Sequence, residues 1–557
     1  MTSLKKWEDS LQFTAFLWAI ILLNSWATDW VLRWDLTEDK RYTISQASQQ
    51  VLENLDEVVF VEVYLEGDLN SAFTRLQKSV RETLEQFRVY GKQKIQYRFV
   101  NPDVGKNEAE KRNFYQQLVN KGIQPTQLYD NVDGKKVQKI IFPYALISYK
   151  QKEMPVLLLK GNKTATAQEQ LNQSIEGLEY ELASSIEALT QKRKKNIGII
   201  NGHQELYPQE LQDLQNSLQQ KYAVDQIGID EQSLKNYDAL LIAQPKKAFD
   251  EAQKYYLDQY IMNGGKALFL IDMVQMNLDS IALGGAYAFA YDLNLSDLLF
   301  RYGVRLNMDL LQDQEMGSIL VNVGNLGNRP NLQPIPFPYY IQLNTFGKHP
   351  IVRNLNGVYG RFVGSLDTVK ADKVRKTPLV MSNRYTRIKK IPSIVSLNEL
   401  KEELDSKLFK SSKIPVAYLL EGNFTSMFKN RFPPEGIDNQ GFMEESKETK
   451  IVVFADGDLA KNEFDPKTGQ ALPLGFDKIT RQTYSNKDFI LNTFAYLLDD
   501  NGLILSRNNE VLLRPLDKVR IQAEKTGIQV LNMVLPILLV LIFGIARYFW
   551  RKRSYES

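Results

Sequence analysis

Few residues in this chain have the type and spacing to do chemistry. His203 and Glu205 stand two apart in Asn201-Gly202-His203-Gln204-Glu205, directly after the apolar run 196–200 (NIGII). Asp272 closes the run 266–271 (KALFLI), and Asp456 and Asp458 follow 450–455 (KIVVFA). An imidazole near carboxylates suits general-base or metal-assisted hydrolysis, with His203 as base or ligand and the acids as partners. The nucleophile for that reading is missing. The chain has no cysteine and no Gly-x-Ser-x-Gly turn, so neither a thiol nor a nucleophile-elbow hydrolase is available. The second histidine, His349, precedes Pro350 without a His or Cys neighbour to build a metal site, and two carboxylates alone make a poor hard-cation site. The competing reading is structural: Asp and Asn cap turns and helices at strand ends, and His203 hydrogen-bonds a loop. It needs no further group, so no catalytic residue, metal or cofactor is assigned, and His203, Glu205, Asp272, Asp456 and Asp458 stand as ligand-binding candidates only. No Gly-x-x-x-x-Gly-Lys-Ser/Thr occurs, since Gly265-Lys266 is followed by alanine. The chain is therefore not expected to hydrolyse ATP.

All five candidates sit where buried strands end. The runs 196–200, 237–243 (YDALLIA), 266–271 and 450–455 are continuous apolar stretches. Between the first three lie helices with Leu211, Leu214, Leu218 and Tyr222, then Tyr256, Leu257, Tyr260 and Ile261, on one stripe each. Strands alternating with helices predict a parallel sheet with right-handed crossovers, a doubly wound (Rossmann-like or glutamine-amidotransferase-like) domain over 193–510. Such sheets place ligands at the carboxyl ends of their strands. The stretch 330–445, Pro- and Gly-rich with short strands such as 378–382 and 414–420, reads as a subdomain or set of insertions.

Residues 35–192 form a different unit. Val59, Val61, Val63 and Leu65 alternate as one strand face, and Phe73, Leu76, Val80, Leu84 and Phe87 line a helix ended by Gly91. A strand with Ile95, Tyr97 and Phe99 and a helix over 106–121 repeat the pattern. A hairpin of 140–149 and 155–159 about 150–153 follows, then a helix with Leu171, Ile175, Leu178, Leu182, Ile186 and Leu189 on one stripe. The order βαβα then ββα predicts a thioredoxin-like domain. Without Cys-x-x-Cys its surface would dock a partner rather than do redox chemistry.

The ends of the chain are apolar. The run 528–545 (IQVLNMVLPILLVLIFGI) is followed by Tyr548, Trp550 and the cations Arg547, Arg551, Lys552 and Arg553. Eighteen residues at about 1.5 Å each approach a hydrocarbon core of roughly 30 Å, so 528–550 is predicted to span a membrane, after a 511–527 linker and before a basic tail, 551–557. The cations place that tail in the cytoplasm. At the other end, Lys5 and Lys6 precede an apolar stretch, Leu11 to Leu32, carrying Trp18, Trp26 and Trp30 with Trp34 just beyond. Residues 1–34 read as a second anchor with its basic end inside. A cleavable signal is the rival, with Ser25-Trp26-Ala27 as its cut, but Val31-Leu32 carry the apolar segment past that point. Within the C-terminal span, Asn532 beside the kink-prone Pro536 marks a face toward a partner helix, because an intramembrane amide turns to protein. At 43% apolar and 24% charged residues the remainder has the composition of a folded body, and a net charge of +3 points to no nucleic-acid partner.

Several stretches resemble the GldG family. They are Asp35 to Ser45 (DLTEDKRYTIS), Val63 to Leu69 (VYLEGDL), Pro334 to Tyr339 (PIPFPY), His349-Pro350-Ile351-Val352, Ala417 to Phe424 (AYLLEGNF) and Arg514 to Lys518 (RPLDK), spread over nearly the whole chain. The resemblance implies the auxiliary subunit of the ABC transporter associated with gliding motility, working with a separate ATPase and a separate multi-span permease. It also implies an uncleaved N-terminal anchor and a soluble region related to a domain of intraflagellar transport proteins. It carries over no catalytic residues. The resulting expectation is a nonenzymatic bacterial inner-membrane protein with both termini cytoplasmic and a large periplasmic body meeting envelope protein or glycan. Two other readings compete: a tethered periplasmic ligand- or glycan-binding protein, and a degenerate hydrolase.

Overall fold

The computed structural model describes residues 14–19, 22, 43–105, 107–132, 135–160, 166–276, 281, 285–327, 329–400, 405–438, 440–508 and 518–555. The N-terminal anchor expected over 1–34 lies outside them except for 14–19 and 22, which are helical, and so does the Arg514 to Lys518 motif except for Lys518. The chain divides into two compact units, Met1–Asn509 and Glu510–Ser557. Among the described residues it is a mixed α/β protein with one candidate membrane helix, at the C-terminus.

The first unit begins with α1 (Gln46–Glu53), β1 (Val59–Val63), α2 (Ser71–Gly91), β2 (Ile95–Phe99) and α3 (Glu108–Asn120). In β1 the apolar alternation does its work: Val59, Val61 and Val63 are all fully buried. β3 (Tyr144–Tyr149), β4 (Lys152–Leu157) and α4 (Ala167–Thr190) complete a four-stranded sheet of order β2-β1-β3-β4. β2 runs parallel to β1, with Val61 beside Tyr97, whereas β3 is antiparallel, with Val61 beside Ile147. Leu76, Val80, Leu84 and Phe87 of α2 share a core with Leu171, Leu178, Leu182 and Ile186 of α4. Leu118 of α3 packs with Tyr64, Phe142 and Leu146 in a separate cluster. One strand expectation is corrected here. Residues 140–149 are not continuous: the chain breaks at Phe142-Pro143, and 135–141 pairs instead with 126–132 in a separate hairpin. Proline lacks the N–H that continued ladder pairing needs. The turn between β3 and β4 is also shorter than expected, with Lys150 in the left-handed region (φ 54°).

The second sheet has eight strands. In chain order these are β5 (Asn196–Ile200), β6 (Ala223–Ile227), β7 (Ala239–Ala243), β8 (Lys266–Leu270), β9 (Thr345–Phe346), β10 (Val374–Met381), β11 (Pro415–Gly422) and β12 (Thr449–Phe454). Their order across the sheet is β9-β10-β11-β12-β8-β7-β5-β6. From β6 to β12 the pairings are parallel, and from β12 to β9 antiparallel. The all-parallel expectation thus holds for five strands and fails for three: the supposed inserts at 378–382 and 414–420 extend the main sheet, and β6 was not foreseen. Leu214 and Leu218 of α5 (Gln212–Gln219) and Phe489, Ile490 and Phe494 of α7 (Asn486–Leu497) pack on one face, in the same core as α4. Leu257 and Ile261 of α6 (Glu251–Met262) pack on the other, with a short helix at 296–302. Gly198 in β5 leaves room for the neighbouring strand's side chain: a Cβ there would lie 2.5 Å from Ile227 Cδ1, so a larger residue needs Ile227 to move.

The described residues of the second unit form one helix, α8 (Lys518–Tyr555), 38 residues long. Its segment Glu524–Trp550 has mean hydropathy 2.5 and buries nothing within the chain. At about 1.5 Å per residue it is long enough for a bilayer core. The helix starts ten residues before the expected span, so 518–527 is helical rather than linker.

Candidate functional site

The sequence of strands fixes where a crevice should form. β6 lies on one side of β5 and β7 on the other, so the strand order reverses between β5 and β7, the point at which open α/β sheets bind ligands. The loop after β5 carries His203 and Glu205, and the loop after β7 begins at Gln244.

That crevice is filled from within. His203 is 3% exposed and Glu205 6%. The His203 ring lies flat on Phe249, centroids 3.8 Å apart and planes 7° from parallel. Nδ1 lies 3.1 Å from Glu205 Oε1, and Nε2 2.9 Å from Gln253 Oε1. Gln253 is placed by a reciprocal cap at the start of α6, where it bonds Asp250. Both ring nitrogens therefore face acceptors, an arrangement satisfied by the doubly protonated ring. Burial alone would lower the imidazole pKa, but the bonds to Glu205 and Gln253 and the nearby carboxylate charges outweigh it, so the net shift is upward. The backbone locks the same loop: His203 C=O accepts from Lys246 N and Lys247 N at 2.8 and 3.0 Å, and Leu206 N donates to Ala243 O at 3.2 Å.

The three aspartates form a second group, at the ends of β8 and β12. Asp456 is fully buried; its Oδ2 accepts the Arg361 backbone N–H at 2.9 Å and its Oδ1 that of Asp458 at 3.1 Å. Asp272 Oδ1 accepts from Gly457 N at 2.6 Å and Oδ2 from Gln244 Nε2 at 2.9 Å. Gly457 lets these side chains approach, since a Cβ would meet Asp272 Oδ2 at 2.8 Å and Gln244 Cγ at 2.9 Å and displace one or both. Burial raises Asp272 to about 7, helped by the Asp458 charge. Burial, with Asp458 and then Asp272, drives Asp456 well above the usual carboxylate range. Burial raises Asp458 as well, against the opposing pull of Arg361. The Arg361 side chain pairs with Glu463 at 2.8 Å, which together with Lys478 holds Glu463 down at about 2 despite its burial.

The five candidates thus fall into two groups, His203–Glu205 and the aspartate trio, joined only through the loop that starts at Gln244. Among the described residues no cluster of His, Cys, Asp or Glu has the geometry to hold a metal ion. A carboxyl with a raised pKa can donate a proton, but Asp456 is sealed from solvent: its oxygens accept the Arg361 and Asp458 backbone N–H groups and its side chain is hydrogen-bonded to that of Asp458. Sequence reasoning missed Gln244, Phe249, Gln253, Arg361 and Glu463. Only Gln253 left a signal, as the third residue after Asp250 in an Asp-x-x-Gln cap. Asn532 and Pro536 lie on the exposed C-terminal helix.

A profile described as an ABC-type uncharacterized transport system matches residues 194–493, more than half of the 557-residue chain. A second profile, a domain of unknown function, matches 38–148. An uncharacterized protein of Borreliella burgdorferi is 21% identical over 565 residues, covering 99% of each chain. A solved structure of the mmIFT52 N-terminal domain covers 55% of this chain and 97% of its own, at 14% identity and a TM-score of 0.32, a likeness too distant to transfer fold or function. On the length of the first match, the chain belongs to the family of the ABC-type uncharacterized transport system.

Proposed function

We propose that the chain is a nonenzymatic auxiliary subunit of an ABC-transporter-type membrane complex, of the gliding-motility type. Family membership suggests an accessory role in a transport system and association with transporter components. The further reading is ours: a separate ATPase and a multi-span permease as partners, an inner-membrane location with both termini cytoplasmic, and a periplasmic body at 35–510 facing envelope protein or glycan. Within that body we read 35–192 as thioredoxin-like, on its β2-β1-β3-β4 order with β3 reversed. We read 193–510 as doubly wound, on its five parallel strands with helices on both faces.

The observation that carries the nonenzymatic reading is the filled crevice. An enzyme or ligand-binding protein keeps the switch point open; here His203, Glu205 and Phe249 occupy it. Function then resides in surfaces and in the membrane helix. Affinity purification of the tagged chain in mild detergent tests this, with an ATPase and a multi-span subunit expected among the recovered proteins. The helix offers a narrower test. Asn532→Leu removes an amide whose helix association is of order 1 kcal/mol, and recovery of the permease is expected to fall several-fold. Unchanged recovery would remove Asn532 from the contact.

A ligand-binding role is the second reading, favoured by Gln244, whose Oε1 is buried without a protein partner next to half-buried Asp272. It requires saturable stabilisation of the chain by a glycan or other small molecule, measured as a rise in Tm.

A further inference from the structure

Residues Met316–Leu326 and Arg329–Leu343 form a long antiparallel hairpin. From Met316 to Leu343 the only charged residue is Arg329. Beyond the base, where Ile319 and Phe337 are buried, most described residues on both strands are solvent-exposed, among them Leu320, Val323 and Leu332 at 55%, 48% and 52%. A two-stranded ribbon exposed in this way is marginal by itself, and one with a single charge invites pairing along its edges.

The two edges are not equivalent. Pro336 stands opposite Ser318 and Pro334 opposite Leu320. Proline has no N–H to give to the ladder, so the bonded pairs fall at Ile319–Ile335 and Val321–Gln333, and the prolines occupy the outward-facing sites. The 329–337 edge is thereby closed to a further strand. By the same alternation the backbone groups of Ser318, Leu320 and Asn322 point outward from the other strand. No described strand pairs with that edge, and no proline or lysine guards it.

We propose that this open edge pairs antiparallel with its counterpart in a second copy of the chain, centred on Leu320. The segment is self-complementary: Leu320 meets Leu320, Ser318 meets Asn322, and no like charges are opposed. Because the other edge of each arm is blocked by proline, the pairing closes at two copies instead of growing into a fibre. The inference does not depend on the transporter reading.

The absence of cysteine makes the test clean. In an antiparallel bonded pair facing Cα atoms lie about 5.5 Å apart, inside the disulfide range, so Leu320→Cys in the full-length chain in detergent is expected to oxidise to a covalent dimer. Phe432→Cys, at the far more exposed Phe432 (95%), is expected to do so at least fivefold less. Light scattering corrected for detergent is expected to give twice the 64.1 kDa chain mass for the natural sequence and a single chain for Leu320→Pro, which removes one outward N–H without taking a bond from the ribbon. Equal crosslinking at both cysteines, a natural chain of single mass, or a Leu320→Pro variant that stays dimeric overturns the proposal. A Leu320→Cys adduct with a different protein in native membranes also overturns it, in favour of a heterologous partner.

Discussion

His203→Ala is expected to destabilise the body by roughly 3–5 kcal/mol, the usual effect of removing one partner from a buried, hydrogen-bonded pair. Three losses combine. The ring leaves the face of Phe249, to which it is stacked at 3.8 Å. The buried Glu205 carboxylate loses its imidazolium partner. Gln253 Oε1 loses the ring N–H, keeping only Asp250 N. Thermal unfolding of the full chain should show the change as a drop of several degrees, with His203→Gln falling less because its amide retains one hydrogen bond. The sign separates the readings. Residues poised for chemistry are often strained, and their removal tends to leave stability unchanged or improved. A Tm for His203→Ala equal to or above that of the natural chain would return His203 to the list of catalytic candidates.

The aspartate trio yields the second large effect, on pH dependence. Asp272 is raised to about 7 in the folded chain from an ordinary 3.8, so between those values the folded state holds a proton that the unfolded state has lost. Stability is then present at the acid end and lost as pH rises through about 7. His203, also raised, acts in the same direction above pH 6.5. His349 opposes both: burial lowers it to about 4, so its contribution is lost as pH falls from 6.5 toward 4. Comparison with Asp272→Asn cancels the histidine contributions. The asparagine oxygen still accepts from Gly457, and its amide replaces the oxygen that accepts from Gln244 Nε2, so Gln244 is expected to turn its amide over and present the otherwise unpartnered Oε1 as acceptor. The variant is expected to match the natural chain near pH 4 and to exceed it increasingly up to pH 8. A constant Tm gap across that range would mean that Asp272 carries no raised pKa.

How much of this was legible in the sequence depends on what had to be recognised. Short continuous apolar runs such as KALFLI and KIVVFA, bounded by turn residues, read as strands buried on both faces, and the positions of Asp272 and Asp456 at their ends followed directly. The helix stripes of α2 and α4 were equally readable. The reversal of direction after β12 was not, because β11 (PVAYLLEG) is as buried and apolar as a parallel strand and only its pairing distinguishes it. β6 (AVDQI) escaped notice because it is an edge strand with one buried side chain, Val224. At the site, the residue types and their strand ends were visible. What the sequence withheld was that Phe249 and Gln253, some fifty residues on, would close over His203, a contact set by the packing of the loop after β5 against the entry to α6 and not by any pattern around His203.

The central claim, that the chain works through association and not through its own chemistry, is tested most directly by quantitative mass spectrometry of complexes purified from native membranes through a tag on this chain. The expected result is an ATPase and a multi-span membrane protein at fixed ratios to it, unchanged when His203→Gln and Asp456→Asn are introduced together and accompanied by unchanged function of the complex. Recovery of the chain without partners would contradict the account, as would an intact complex whose function is abolished by the double substitution.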